Sequence, residues 1–329
     1  MDFYNEKTFG QMKGVFFSAM QEENLKCLEP NEECHEELIR CHSIQDSRIL
    51  EDLAENYHVY TIQIDKRALG RSKANEMTFP KMIFERVSMH EATTFKGLCN
   101  KHDTEIFGPI DKEELDMENC QHVFLLTYRA VLREMATLFG AARMAQSAYI
   151  KKAETGVISR DQPSSEGYYA VEQVIRALDF YPYKKAFDFI YLEKQYNEMY
   201  WIYYIYDENA NFAVSSIFNV DSSMNMEDVP KNIGINVFPY NNKTYVVFSC
   251  LKVHKDAMNI MLNDIITATG YYQKYLISKL VLRKCENIVL APAALNSWAE
   301  SKKETILKFF TDTIYNSDLD YDNEELYLF

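Results

Sequence analysis

No stretch of this chain approaches the roughly 18 consecutive apolar residues that a membrane span requires, so no membrane partner is expected. Long basic runs are missing too. The 35 Lys and Arg stand against 49 Asp and Glu, for a net charge of −14. A sequence-independent grip on a nucleic-acid backbone depends on clustered cations that release counterions. Binding of that kind by the whole surface is disfavoured, while a local basic groove is compatible with the composition. Glycine and proline are scarce, at 10 and 8 residues, which leaves little material for flexible linkers. There is no phosphate loop, no GxGxxG and no HExxH. Ser215 and Ser216, in "AVSSIF", sit in a strand pattern rather than on a nucleophile elbow, which argues against a serine hydrolase.

The N-terminal "MDFYNEKTFGQMKG" has Asp and Glu where a signal peptide needs a basic region and an apolar run, so the chain is expected to stay in the cytoplasm. In a reducing compartment a disulfide framework is not expected from seven cysteines. Any clustering of cysteines then calls for metal, reactivity or burial as its explanation.

What the chain does have is a globular composition, 47% hydrophobic with 23 Tyr and 20 Phe in 329 residues. Phe9, Met12, Phe16, Phe17 and Met20 recur at helical spacing and predict a helix over 3–22. A loop over 27–34 follows, then "DSRILEDLAENY" as a helix capped by Asp46 or Ser47, "HVYTIQID" as a strand, a loop over 66–80 and "KMIFERVSM" as a second strand. Cys120, Val123, Phe124, Val131, Leu132, Met135, Leu138 and Phe139 form one stripe of a helix within 116–155. "GVISRDQPSSE" reads as a boundary, and two helices, about 167–180 and 183–199, are separated around Pro182. "MYWIYYIYD", "FAVSSIFNV", "IGINVFPYN" and "KTYVVFSCLKV" are strands, the last two joined by a turn at "YNNK". Helices over about 255–269, 271–284 and 298–315 follow. "SDLDYDNEELYLF" reads as a solvated acidic end that contacts a partner. The class is α+β, with a C-terminal mixed or antiparallel sheet carrying helices. Three spans are expected: 1–115 as a zinc-binding module, 116–200 as a helical segment, and 201–329 as an α+β domain with the acidic tail.

"LKCLEPNEECHEELIRCHSIQDSRIL", residues 25–50, holds three of the seven cysteines and two of the seven histidines. It supplies Cys27, Cys34, Cys41 and His42, and "LCNKHDTEIF" adds Cys99 and His102. Zinc takes four N or S ligands in a tetrahedron. Two pairs far apart in sequence would pin the intervening segment at its ends, and which four of the six residues bind stays open at this level. Asp103 is placed to orient His102. Ser43 and Gln45 are placed to cap the following helix, with Gln45 alternatively positioning a substrate. Asp103 and Asp111 also fit as helix-end carboxylates. Cys120, Cys250 and Cys285 fall in apolar patterns and read as buried residues.

The blocks "CLEPNEECHEELIRCHSIQDSRILEDLAENYHVY", "TTFKGLCNKHDTEIFGPID" and "ENCQHVFLLTYRAVLREM", with "FAVSSIFNVD" and "CENIVLAP" later, resemble a widespread bacterial group. That group pairs a C-x(n)-C block ending in HSIQ with a C-x-x-HD-x-x-F block. The likeness covers about 25–295 and implies no activity. The group usually has Ala where Cys41 stands, which sets Cys41 aside as a ligand, and Glu where Asp111 stands. More distantly, the arrangement resembles HNH-type treble-clef nucleases. That resemblance implies a treble-clef-like N-terminal module in which Cys27, Cys34, Cys99 and His102 hold a structural zinc. His42 would then be the general base, and Asp103 would stand where the nuclease motif has its final His, shifting metal preference toward Mg²⁺ or Mn²⁺. The implied function is a metal-dependent nuclease acting on nucleic acid as an anti-phage defence effector. The competing expectation is a non-catalytic zinc-stabilised module that binds a protein partner, or forms a homo-oligomer, through the aromatic C-terminal half.

Overall fold

A computed structural model describes residues 26–71, 81–220, 230–316 and 319–329. The helix expected over 3–22 lies outside the described residues. The strands are β1 (Cys41–His42), β2 (His58–Ile64), β3 (Met82–Ser88), β4 (Thr94–Phe95), β5 (Met199–Tyr206), β6 (Phe212–Asn219), β7 (Asn232–Tyr240), β8 (Lys243–Leu251) and β9 (Ile288–Leu290). The longer helices are α1 (Asn100–Lys112), α2 (Cys120–Glu154), α3 (Ser165–Leu192), α4 (Gly270–Lys284) and α5 (Glu300–Tyr315). The chain is α+β. Among the described residues no helix is long and apolar enough to cross a membrane.

Seven strands form one sheet in the order β3-β2-β9-β6-β7-β8-β5, and every neighbouring pair is antiparallel. Successive side chains on a strand point to opposite faces. Ala213 and Ile217 of β6 therefore enter one core with α2 and α3, while Phe212, Val214 and Phe218 enter the other with α4 and α5. Both faces are covered, which is why β6 and β7 are buried almost end to end. Helix α2 lies close against the sheet. A Cβ on Gly234 would stand 2.8 Å from Ser249 Oγ and 2.9 Å from Thr127 Cγ2, so only glycine fits there.

The short strand β9 went unforeseen, yet it joins β2 (Tyr60 opposite Leu290) to β6 (Phe212 opposite Leu290). One sheet thus draws strands from both the 1–115 and the 201–329 spans. The loop 156–166, expected as a boundary, joins α2 to α3 in a helical hairpin.

Pro182 does not divide α3, which runs unbroken from Ser165 to Leu192. A proline removes one backbone bond. Ala177, Phe180, Tyr183 and Phe187 are buried on either side of it and hold the helix in line. The predicted helix over 183–199 ends early, in a single 3-10 turn before β5. Lys66–Arg71 is a short helix rather than loop.

The acidic tail is not a solvated end. Leu326 and Leu328 are buried, Asp320 and Asp322 pair with Lys279 of α4 at 2.6 and 2.7 Å, and Glu325 accepts from Ser301 and Thr305 of α5. The charges face lysine and hydroxyl partners while the leucines fill the core beneath.

A buried ionic chain fixes α3. Lys184 is fully buried and lies 2.9 Å from Asp188 and 3.3 Å from Glu32, and Tyr128 donates to Asp188 at 2.7 Å. Burial pushes the Asp188 carboxyl up, and Lys184 and Tyr128 offset this only in part.

Two stability outcomes follow. Leu328→Ala lowers unfolding free energy by about 2–5 kcal/mol in urea titrations, whereas Val253→Ala, at an exposed position, leaves it unchanged. Lys184→Ala leaves Asp188 only Tyr128 and the partly exposed Lys185, 3.3 Å away. It costs about 3 kcal/mol, the low end for a broken buried pair, and the double variant Lys184→Met, Asp188→Leu recovers part of that loss.

Candidate metal centre

The first ligand pair sits on the 27–34 loop. Glu29 shapes it, its buried carboxylate accepting from the backbone N–H of Asn31 (2.7 Å), Glu33 (2.6 Å) and Cys34 (3.2 Å). Burial alone would raise its pKa, but these three donors and the nearby His102 hold it below the ordinary carboxylate range. Glu32 turns the loop with a positive φ of 60°. Its carboxylate accepts from Tyr181 at 2.8 Å and pairs with Lys184, so the loop hangs on α3.

The second pair is delivered by a helix start. Residues 38–42 run antiparallel to 94–99: Leu38 bridges Cys99, Cys41 faces Phe95, and His42 faces Thr94. The chain then enters α1 with Cys99 as the N-cap, its carbonyl accepting from Asp103 N–H at 3.0 Å. From the N-cap, a residue three positions on lies one turn along, which brings the Cys99 and His102 side chains together.

Among the described residues, Cys27, Cys34, Cys99 and His102 bring one ligand atom each to within 4.8 Å of the others. Bonds of ~2.3 Å to sulfur and ~2.0 Å to nitrogen place tetrahedron corners ~3.8 Å apart for two sulfurs and ~3.5 Å for sulfur and nitrogen. Cys34 Sγ to Cys99 Sγ is 3.8 Å, Cys27 Sγ to His102 Nδ1 is 3.5 Å, and Cys99 Sγ to His102 Nδ1 is 3.2 Å. These spacings suit a metal ion such as zinc. Burial pushes the Cys27 thiol up to about 12, with Cys99 and Cys34 adding to the rise. Without a cation the Cys27 thiol therefore favours its proton, which a metal would displace.

Cys41 stands outside this set. Its thiol lies 3.9 Å from the Ile39 carbonyl and 3.8 Å from that of Leu98, and burial with the Asp103 charge pushes it up to about 12. It remains a protonated thiol. Cys250 and Cys285 are buried in the core and Cys120 half-buried.

His42 ends β1, and Asp103 opens α1. Burial raises the Asp103 carboxyl, Asp111 adds to the rise, and Arg129, a Cys41 hydrogen bond and His42 oppose it. Asp103 follows His102 in sequence, and His42 lies within electrostatic reach of it. Ser43 and Gln45 do not cap a helix through their side chains. Ser43 Oγ donates to the Thr93 carbonyl at 2.9 Å, and Gln45 Nε2 donates to the Asp111 carbonyl at 3.1 Å. The segment from Asp46 to Leu50 is a π-helical turn accepted at its start by the Gln45 carbonyl. Asp111 is no plain helix-end charge, because its Oδ2 holds the Arg129 guanidinium at 2.6 Å over the Phe107 ring.

Glu29, Glu32 and Arg129 carry this region and were not singled out from sequence. Arg129 had a legible signal, a lone charge within the apolar run "FLLTYRAVL". No family model, curated protein or solved structure matches this chain.

Elemental analysis of the purified full chain should find one zinc ion, lost in Cys27→Ser, Cys34→Ser, Cys99→Ser and His102→Ala but kept in Cys41→Ala and His42→Ala. Glu29→Gln should weaken zinc affinity about 10–100-fold in a chelator competition, since it loosens the loop that presents Cys34. The sign with pH follows from the lowered carboxyl. Its stabilisation is complete above the unfolded value of ~4.3 and fades as pH falls through the lower folded one.

Proposed function

We propose that this chain is a zinc-structured, metal-dependent nuclease of the HNH-like kind. The observation that carries the proposal is the four-ligand cluster of Cys27, Cys34, Cys99 and His102, with Asp103 next in sequence to His102 and within electrostatic reach of His42. A ligand loop, a short strand ending in histidine and a helix start bearing the second ligand pair occur in the order a treble-clef nuclease uses, with β2 and β3 inserted between the strand and the helix.

In this reading zinc is structural and fixes the distance between the end of β1 and the start of α1. His42 takes the proton from the attacking water, a role suited to an imidazole that titrates near neutral pH. Asp103 and His42 offer an oxygen and a nitrogen donor to Mg²⁺ or Mn²⁺, which would neutralise charge on the scissile phosphate. Lys101, exposed on the first turn of α1, and Arg40, exposed before β1, are the nearby cations for a nucleic-acid backbone. A role as an anti-phage defence effector fits such a nuclease.

The exposed apolar face of α3 supports a second, non-catalytic function as a zinc-stabilised interaction or self-assembly module. Tyr168 is 69% exposed, Val171 57% and Leu178 61%. The aromatic strands of the C-terminal half are less available, since only β5 among them is a sheet edge.

Incubation of the zinc-loaded protein with DNA and RNA in Mg²⁺ or Mn²⁺ separates the two. The nuclease predicts cleavage that falls at least ~10²-fold in His42→Ala while zinc content is unchanged. Absence of cleavage, or cleavage indifferent to His42, together with concentration-dependent self-association in light scattering, establishes the second function.

A further inference from the structure

Behind the end of β1 lies a small, partly open cavity, about 20 Å³, walled by Ser43, Gln45, Asp111, Arg129, Ser215 and Asn236 together with apolar side chains. It sits where three layers meet: the 43–45 segment, the end of α1 with α2, and the face of β6 and β7.

Four polar atoms on its walls are buried and make no hydrogen bond to the described protein: Asp111 Oδ1, Arg129 Nε, Ser215 Oγ and Asn236 Nδ2. Arg129, Ser215 and Asn236 are each at least nine-tenths buried. A buried polar atom left without a partner costs about 1–3 kcal/mol, so four around one cavity call for a common partner.

We infer that this cavity is a binding site for a single neutral, water-sized ligand, a resident water molecule. The size fits, because one water needs about 10–15 Å³ and two to four polar partners. The wall chemistry selects among ligands of that size. Arg129 Nε and Asn236 Nδ2 can only donate, Asp111 Oδ1 can only accept, and the Ser215 hydroxyl does either. A water accepts twice and donates twice, and so satisfies all four atoms. A cation would face the Arg129 and Asn236 donors, and an anion would face the Asp111 carboxylate.

The water would complete a structural joint. Asp111 would hold Arg129 through one carboxylate oxygen and the water through the other, while its carbonyl holds Gln45. Ser43 is tied to the sheet by Asn287, which donates to Ser43 Oγ at 2.9 Å and to the Ser215 carbonyl at 2.8 Å. The segment that follows His42 would thus be locked to α1, α2 and the sheet through one hydrated cluster. The site stands whether or not the chain is a nuclease.

A high-resolution crystal structure of the zinc-loaded full chain tests this directly. One water peak is expected at about 2.6–3.2 Å from all four atoms. Oxygen-17 relaxation dispersion in solution should count one long-lived water fewer in Asn236→Leu than in the wild type, and no fewer in Ser215→Ala, which leaves three partners. A peak with anomalous signal after bromide or rubidium exchange would overturn the assignment in favour of an ion. So would a cavity closed by direct pairing of Asp111 Oδ1 with Arg129 Nε. If Asn236→Leu fails to fold, the wild-type density and Ser215→Ala decide the matter.

Discussion

Three sulfurs and an imidazole nitrogen held within 4.8 Å of one another form a donor set for a single cation. Burial disfavours the Cys27 thiolate, and the Cys99 and Cys34 sulfurs beside it disfavour it further. Either protons or a divalent cation must resolve the conflict, and the tetrahedral spacing suits the cation. The four atoms come from two segments with different supports. The 27–34 loop hangs from α3 through Glu32, Tyr181 and Lys184, and α1 is seated on α2 through Asp111 and Arg129. A cation there therefore clamps the N-terminal segment to both arms of the helical hairpin, and its binding energy is also folding energy.

Local chemistry was what could be read in advance. Cys27, Cys34, Cys41, His42, Cys99 and His102 stand out as candidates because few other demands on a chain gather thiols and imidazoles into two short packets, but the choice of four among them needs the fold. The strands of the second half are legible because β-branched and aromatic residues fill both faces of a covered sheet. The turn between β7 and β8 is legible because Asn241 and Asn242 tolerate the positive φ of 51° and 59° that it requires. Features decided by packing were hidden. Ile288–Leu290 is too short to show a period, and it is a strand only because β2 and β6 flank it. Pro182 reads as a break until the buried residues on either side are seen. The tail reads as solvated because its charges outnumber its leucines, although the leucines set its place.

The polar residues inside this fold follow one pattern. Lys184 on α3 and Arg129 on α2 interrupt apolar stripes, and each is answered by a carboxylate from another element as well as its own surroundings: Glu32 for Lys184, Asp111 for Arg129. Such pairs contribute little net stability beside apolar packing, but a misplaced neighbour leaves a charge buried alone. They act as registration pins for the loop and for α1. The site beside the cysteine cluster inherits its geometry from them.

The pairing of Tyr60 with Leu290 sets an order of events. During synthesis, Cys27 through His102 emerge before Ile288–Leu290, and the segments that carry them close over a modest span. β2 and β3 can pair with each other at once, but β2's other edge has no partner until Ile288–Leu290 leaves the ribosome. Contacts of such long sequence separation form slowly. The four-ligand cluster is thus available to organise the N-terminal part of the chain through an interval in which the seven-stranded sheet cannot yet be completed.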